Sequence, residues 1–193
     1  PLAVVASVGT INTGSVDDLQ AIAELCEAEG LWLHVDGAIG GFLALSSHPD
    51  AVRGLDRADS LALDLHKWMQ APIGVGLALV RDEAAHRGTF SVVPAYLTHA
   101  TTRGLAAGAV WFNEYGIALS RGFRALRVWL ALKAYGADAF GRVMDRNIAQ
   151  AHALADRVDA HPELERMAPV GCDVVCLRYA PAGVPAERLD EVN

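Results

Sequence analysis

Two short apolar runs in this chain each lead to a residue able to do chemistry. In LWLHVDGAIGG, residues 31–41, the run closes on Asp36, and in SLALDLHKW, residues 60–68, it leads to Lys67. Apolar runs of this length, bounded by glycine or polar turns, read as buried strands, and strands of that kind belong to parallel sheets. Ligands of open parallel sheets gather at the carboxyl ends of the strands. The runs therefore predict one sheet that delivers a carboxylate and an amine to the same edge.

The surrounding pattern fits that sheet. Residues 2–7 form a β-rich apolar run, and Ser15 is placed to cap a helix over 16–29, which Gly30 would stop. A strand over 31–35 follows, then a short helix over 49–55 and strands over 60–63 and 76–80. Alternating strands and helices argue for an α/β sheet with right-handed crossovers. Residues 90–108, with a proline, several threonines and a Gly/Ala-rich run, read as a long functional loop. Helical patterns over 110–135 and 138–160, separated by Gly136, precede strands over 164–170 and 174–179. The expected division is a large domain over 1–159 and the start of a small α+β domain over 160–193.

Composition narrows the function. The 193 residues are 52% hydrophobic and 20% charged, ordinary for a globular chain. The net charge of −7 comes with no Lys/Arg cluster, so a small molecule rather than nucleic acid is the expected partner. No apolar run approaches the ~20 residues that cross a bilayer, so no membrane association is expected. Three cysteines, Cys26, Cys172 and Cys176, lack the spacing of a metal site, and a reducing cytoplasm is the expected setting. Opening at Pro1 in a strand and closing at Asn193 in a helical pattern, the chain reads as an internal piece of a longer protein.

An acid at one strand end and a lysine about thirty residues on suit pyridoxal phosphate. Its aldehyde takes a Schiff-base lysine, and its ring nitrogen takes an acidic partner. Lys67 must present a neutral amine when it attacks, which a strand end sheltered from water favours. Asp36 would keep the ring nitrogen protonated, making the ring a sink for the electrons left on Cα when a bond there breaks. Ala38 would set a methyl against one ring face. His66 is a candidate neighbour of the phosphate or the lysine, and equally a satisfied core histidine. Thr10, Ser60 and Asp64 are candidate contacts on the phosphate side, each as readily a cap or a strand-end hydrogen bond. His34 reads as a strand residue.

Residues 4–97 resemble the group II pyridoxal-phosphate-dependent decarboxylases, the family of aromatic-L-amino-acid, histidine and glutamate decarboxylases. The family's Ser-apolar pair followed by five residues and a lysine is met by Ser60, Leu61 and Lys67. Its His-Val-Asp segment is met by His34, Val35 and Asp36, and the similarity continues through LSRGFRALRVWLALKAYG (119–136) and DVVCLRY (173–179).

The resemblance implies fold type I of the pyridoxal-phosphate enzymes, a homodimer with shared active sites, and α-decarboxylation of an L-amino acid, an aromatic one first. It carries over Lys67 as the cofactor lysine, Asp36 as the ring-nitrogen partner, Ala38 as the ring-packing residue and His66 as an active-site neighbour. VPAYL (93–97) matches the family's catalytic-loop segment, which makes Tyr96 the acid that protonates Cα after carbon dioxide leaves. A phenol on a closing loop suits that task. Relatives with Phe there are implied to form aldehydes oxidatively.

The chain departs from the family pattern at Leu65, where proline is usual, at Asp64, often asparagine, and at Gly122, usually basic. Gly122 is expected inside a helix, at a cost of about 1 kcal/mol relative to Ala. The resemblance also places the ring-stacking residue and the main phosphate loop outside this chain, so the piece alone is expected to bind cofactor weakly. Two other readings stand beside this one. HVDGA, a lysine and PIGVG (72–76) also fit a cysteine desulfurase or an aminotransferase, and a degenerate, non-catalytic dimer partner is the third.

Overall fold

A computed structural model describes residues 1–92, 103 and 111–193. These form two compact units, one made of Pro1–Leu79 with Ala125–Asn193 and the other of Val80–Arg124.

The first unit is built on a four-stranded sheet in the order β1-β2-β3-β4. Strand β1 (Ala3–Ser7) runs parallel to β2 (Trp32–Asp36), with Ser7 opposite Asp36. Strand β2 runs parallel to β3 (Ser60–Asp64), with His34 opposite Ser60 and Asp36 opposite Ala62. Strand β4 (Gly76–Val80) completes the sheet. The expected strands are therefore present, and β2 and β3 each run one residue further than the apolar run.

Period-two alternation decides the faces. Leu33 and Val35 of β2 join Ala6 of β1 in a core with Leu19, Ala23 and Cys26 of helix α1 (Leu19–Glu29). The intervening Trp32, His34 and Asp36 point to the other face, where Val5 of β1 is also open to solvent.

Helix α1 ends as expected, with Gly30 in the left-handed region at φ 63°. It begins three residues later than the Ser15 cap implies. Asp18 is the cap and accepts from the Ala21 amide at 3.1 Å. Residues 16 and 17 are held extended instead, because Val16 bridges to Val8 and Asp17 exchanges hydrogen bonds with the Ser7 backbone. The Ser15 hydroxyl goes to Thr13. The helix expected over 49–55 is two 3-10 turns, Pro49–Val52 and Leu55–Arg57, parted by Gly54 at φ 94°.

Helices α3 (Ala125–Tyr135) and α4 (Ala137–Asp159) are separated at Gly136, as the sequence predicts. The pattern expected to be helical over 110–135 is α-helical only from Ala125 among the described residues. Gly122 thus precedes the helix, and the helix-interior cost does not arise. Met144, Ile148, Ala151, Ala155 and Val158 give α4 a buried stripe at spacings of three and four. Gly141 lets α4 approach the 3-10 segment Gly40–Leu45 at backbone distance, since a Cβ there would lie 2.1 Å from the Leu45 carbonyl oxygen.

After α4, β5 (Leu164–Arg166) pairs antiparallel with β6 (Leu177–Tyr179). Both strands are shorter than expected, because the chain turns at Gly171–Val174 with Cys172 at φ 51°. That turn presses on the loop after β1. A Cβ on Gly14 would sit 1.9 Å from the Gly171 carbonyl oxygen, and one on Gly171 would sit 2.3 Å from that of Gly14.

In the second unit, α2 (Glu83–Phe90) is a helix absent from the sequence expectation. Asp82 caps it by accepting from Ala85, and Glu83 supplies the acidic first turn. Arg87 pairs with buried Glu114, the Tyr115 hydroxyl donates to Glu83, and the His86 ring meets Phe90 and Tyr115 edge-on.

Candidate active site

The carboxyl edge of the sheet is tied together by main-chain hydrogen bonds. The Val8 amide donates to the Asp36 carbonyl at 2.8 Å, the Gly37 amide to Ala62 at 2.9 Å, and the Asp64 amide to Ala38 at 3.3 Å. The segment just after Asp36 is therefore laid beside the end of β3. One turn further, the Lys67 amide donates to the Asp64 carbonyl at 3.0 Å. This stitching brings Asp36, Ala38, Asp64 and Lys67 to one edge.

Asp36 is exposed at the end of β2. Its Oδ1 accepts from the Ala38 amide at 3.1 Å, which fixes the carboxylate and orders Ala38 behind it. Among the described residues no lysine or arginine pairs with Asp36. A fixed carboxylate without a cationic partner is the acceptor that a protonated ring nitrogen requires, so this edge fits pyridoxal phosphate.

Lys67 does not lie in the sheltered setting its sequence context predicts. Its side chain is 40% exposed, and its Nζ pairs with Asp64 Oδ2 at 2.9 Å. The neighbouring Leu65, Trp68 and Met69 are the buried members of the turn. Leu65, at the departure from proline, therefore serves as a core residue. Trp68 anchors the turn to α4 by donating from Nε1 to Asn147 Oδ1 at 3.1 Å.

His66 Nδ1 lies 3.1 Å from the Val75 carbonyl. A carbonyl only accepts, so Nδ1 carries the proton and Nε2 is left as an acceptor. Thr10 is on the same edge, beyond β1, but its Oγ1 accepts from the Ser15 amide and meets the Thr13 hydroxyl. Ser60 is not brought to this edge. It begins β3, and its Oγ bonds to Trp32 Nε1 and His34 Nδ1, both at 2.8 Å. Tyr96 lies outside the described residues.

Sequence reasoning missed the residues that approach the lysine from α4 and the C-terminal turn. A cavity of about 350 Å³ is lined by Ile39, Lys67, Trp68, Gln70, Asn147 and Asp173. Burial pushes the Asp173 carboxyl above its ordinary range. It also pushes the neighbouring Cys172 thiol up to about 11, with Asp173 adding to the effect. A signal was available for Asn147, which follows Met144 by three and precedes Ile148 on the buried stripe of α4. Asp173 carried none beyond its place between two cysteines.

An α/β sheet whose first three strands run parallel and which brings an acid and a lysine to one edge defines the fold type I class of pyridoxal-phosphate proteins. The model of the pyridoxal-dependent decarboxylase conserved domain matches residues 1–180, and the chain belongs to that family. It is 38% identical to an aromatic-L-amino-acid decarboxylase of Bacillus atrophaeus, over all of this chain and 40% of that protein. It is 34% identical to an L-2,4-diaminobutyrate decarboxylase of Rhizobium meliloti, over 96% of this chain and 37% of the relative. Among solved structures, Oryza sativa TDC with PLP and tryptamine superposes with a TM-score of 0.87 at 27% identity, covering 99% of this chain and 40% of that one. The chain thus spans about 40% of the length of the relatives it matches. Among the described residues no helix is long and apolar enough to cross a membrane, and no group of three potential ligands is placed to hold a metal.

Proposed function

We propose that the protein to which this chain belongs is a pyridoxal-phosphate-dependent carboxy-lyase that converts an L-amino acid, an aromatic one first, to its amine and carbon dioxide. The observation that carries this reading is the Asp36 carboxylate, fixed by the Ala38 amide, without a cationic partner among the described residues, and on the same edge as Lys67. When bound, the cofactor supplies an electron sink conjugated to the substrate Cα.

Each residue has a proposed task. Asp36 holds the ring-nitrogen proton, Ala38 presents its methyl to the ring, and Lys67 provides the amine that anchors the aldehyde carbon. His66, oriented through Nδ1, offers Nε2 as an acceptor to the lysine. Thr10 and Ser60 have hydroxyls already engaged within the chain, so they act by holding the loop after β1 and the start of β3. Tyr96 delivers the proton to Cα. We further infer a homodimer with shared sites, a cytoplasmic setting, and a small C-terminal domain that starts near Asp159.

The likeness to a diaminobutyrate decarboxylase supports a second substrate class, a diamino acid. The desulfurase reading needs a reactive thiolate. Cys172, the cysteine adjoining the lysine cavity, has its thiol pushed up to about 11, which argues against it.

The test is borohydride reduction of the cofactor-loaded protein with peptide mass analysis, joined to carbon dioxide release across a panel of L-amino acids. A pyridoxyl group on Lys67 with release from an aromatic amino acid is expected. A loaded protein that liberates alanine and sulfide, a keto acid or an aldehyde would overturn the reading. Tyr96→Phe is expected to shift product from amine to aldehyde.

A further inference from the structure

We propose that Asp64 is a positioning residue that latches Lys67 as an ammonium before the cofactor arrives. The inference rests on Lys67 being the cofactor lysine. It replaces the phosphate-side role for Asp64 that sequence spacing allows.

Three observations carry it. Asp64 Oδ2 is 2.9 Å from Lys67 Nζ, and the pair is closed by the turn in which the Lys67 amide donates to the Asp64 carbonyl. The residue is held at the strand end, since the Asp64 amide donates to the Ala38 carbonyl at 3.3 Å, and its carboxylate lies beside β4, where a Cβ on Gly76 would sit 3.5 Å from Oδ1. Finally, a carboxylate accepts hydrogen bonds and repels a phosphate, so Asp64 suits the lysine better than the phosphate. The other titratable groups at this turn are His66, engaged with Val75, and Asp173, which lines the lysine cavity.

The latch has a chemical consequence. An ammonium has no lone pair, so Nζ must give up a proton and leave Asp64 before it can bond to the aldehyde carbon. Nζ and that carbon become doubly bonded, two of the three ammonium protons leave with the aldehyde oxygen as water, and the third stays on nitrogen. No oxidant or reductant is involved. Asp64 therefore slows capture while keeping Nζ parked at the edge where capture occurs.

The experiment mixes full-length apoprotein with pyridoxal phosphate and follows the absorbance of the bound chromophore, from neutral to alkaline pH. Asp64→Asn is expected to capture the cofactor roughly two- to fivefold faster at neutral pH, the size an exposed ion pair supports. Asp64→Glu, which keeps the charge, is expected to stay close to the parent. Pyridoxal, which lacks the phosphate, is expected to show the same acceleration in Asp64→Asn, and Asp64→Ser serves as a second neutral variant if the asparagine does not fold.

Unchanged or slower capture in the neutral variants, acceleration by Asp64→Glu, or acceleration confined to the phosphorylated compound would each overturn the latch. Borohydride trapping of the parent separates the two claims. A pyridoxyl group on a residue other than Lys67 defeats the underlying reading whatever the Asp64 variants do.

Discussion

Gly141→Ala sets two known effects against each other in α4. Alanine is favoured over glycine in a helix interior by about 1 kcal/mol, so on an exposed face this change would stabilise the protein. At Gly141 the new Cβ would lie 2.1 Å from the Leu45 carbonyl oxygen, about 0.9 Å inside the 3.0 Å that real Cβ atoms respect. The opposing atom is backbone and cannot swing aside as a side chain would. Overpacking of this kind costs about 1–3 kcal/mol, and contact with backbone belongs at the upper end. The net expectation is a loss of about 2 kcal/mol, or a melting midpoint lowered by about 4–8 °C for a chain of this size. The displacement would also draw Asn147, two turns along α4, away from Trp68 and so loosen the turn that carries Lys67. Thermal unfolding followed by far-UV circular dichroism checks the number. A midpoint raised by a few degrees would show that propensity wins and that α4 does not rest on the Gly40–Leu45 segment.

Further outcomes follow from the same physics. Leu33→Ala, at a fully buried position in β2, should cost about 2–5 kcal/mol, read from denaturant unfolding. Asp145 accepts the backbone N–H and then the hydroxyl of Ser47, which hold its carboxyl below the ordinary 3.8. Because the folded value is the lower one, its contribution is present above 3.8 and fades as pH falls through the folded value. Asp145→Asn should therefore melt below the parent at neutral pH, the gap closing in acid, and a pH-independent gap would contradict this. Cys172, its thiol raised to about 11 by burial, should resist alkylation in the native protein at pH values well under 11 while labelling readily once unfolded. Rapid native labelling of Cys172, located by peptide mass, would refute that burial.

Much of the frame was readable from residue order. The apolar runs at residues 2–7, 31–35, 60–63 and 76–80 mark the four strands, because short β-rich apolar stretches bounded by turn residues favour extended backbone. Gly30 and Gly136 mark helix limits because each adopts a positive φ that other residues avoid. What lay beyond reach depended on partners distant in sequence. Ser15 is as good a cap as Asp18 by composition, yet Val8 and Ser7 hold the intervening residues extended. The helix expected over 110–135 fell short for a local reason. The long apolar pattern hid Gly116 and Gly122, which favour turns, so α3 starts only at Ala125.

At the site the division is sharper. Residue order by itself determined that a carboxylate and an amine are carried to the carboxyl ends of two strands, since strand period and chain direction are local properties. Only the tertiary structure decided which groups face each one. It gave Ser60 to Trp32 and His34, across 28 and 26 residues, and left Asp36 with the Ala38 amide. It also set Lys67 against Asp64 and brought Asn147 and Asp173 to the same cavity from elements about 80 and 106 residues away. A hydrogen bond or ion pair exists only within a few ångströms, and which groups come that close is fixed by packing rather than by spacing along the chain.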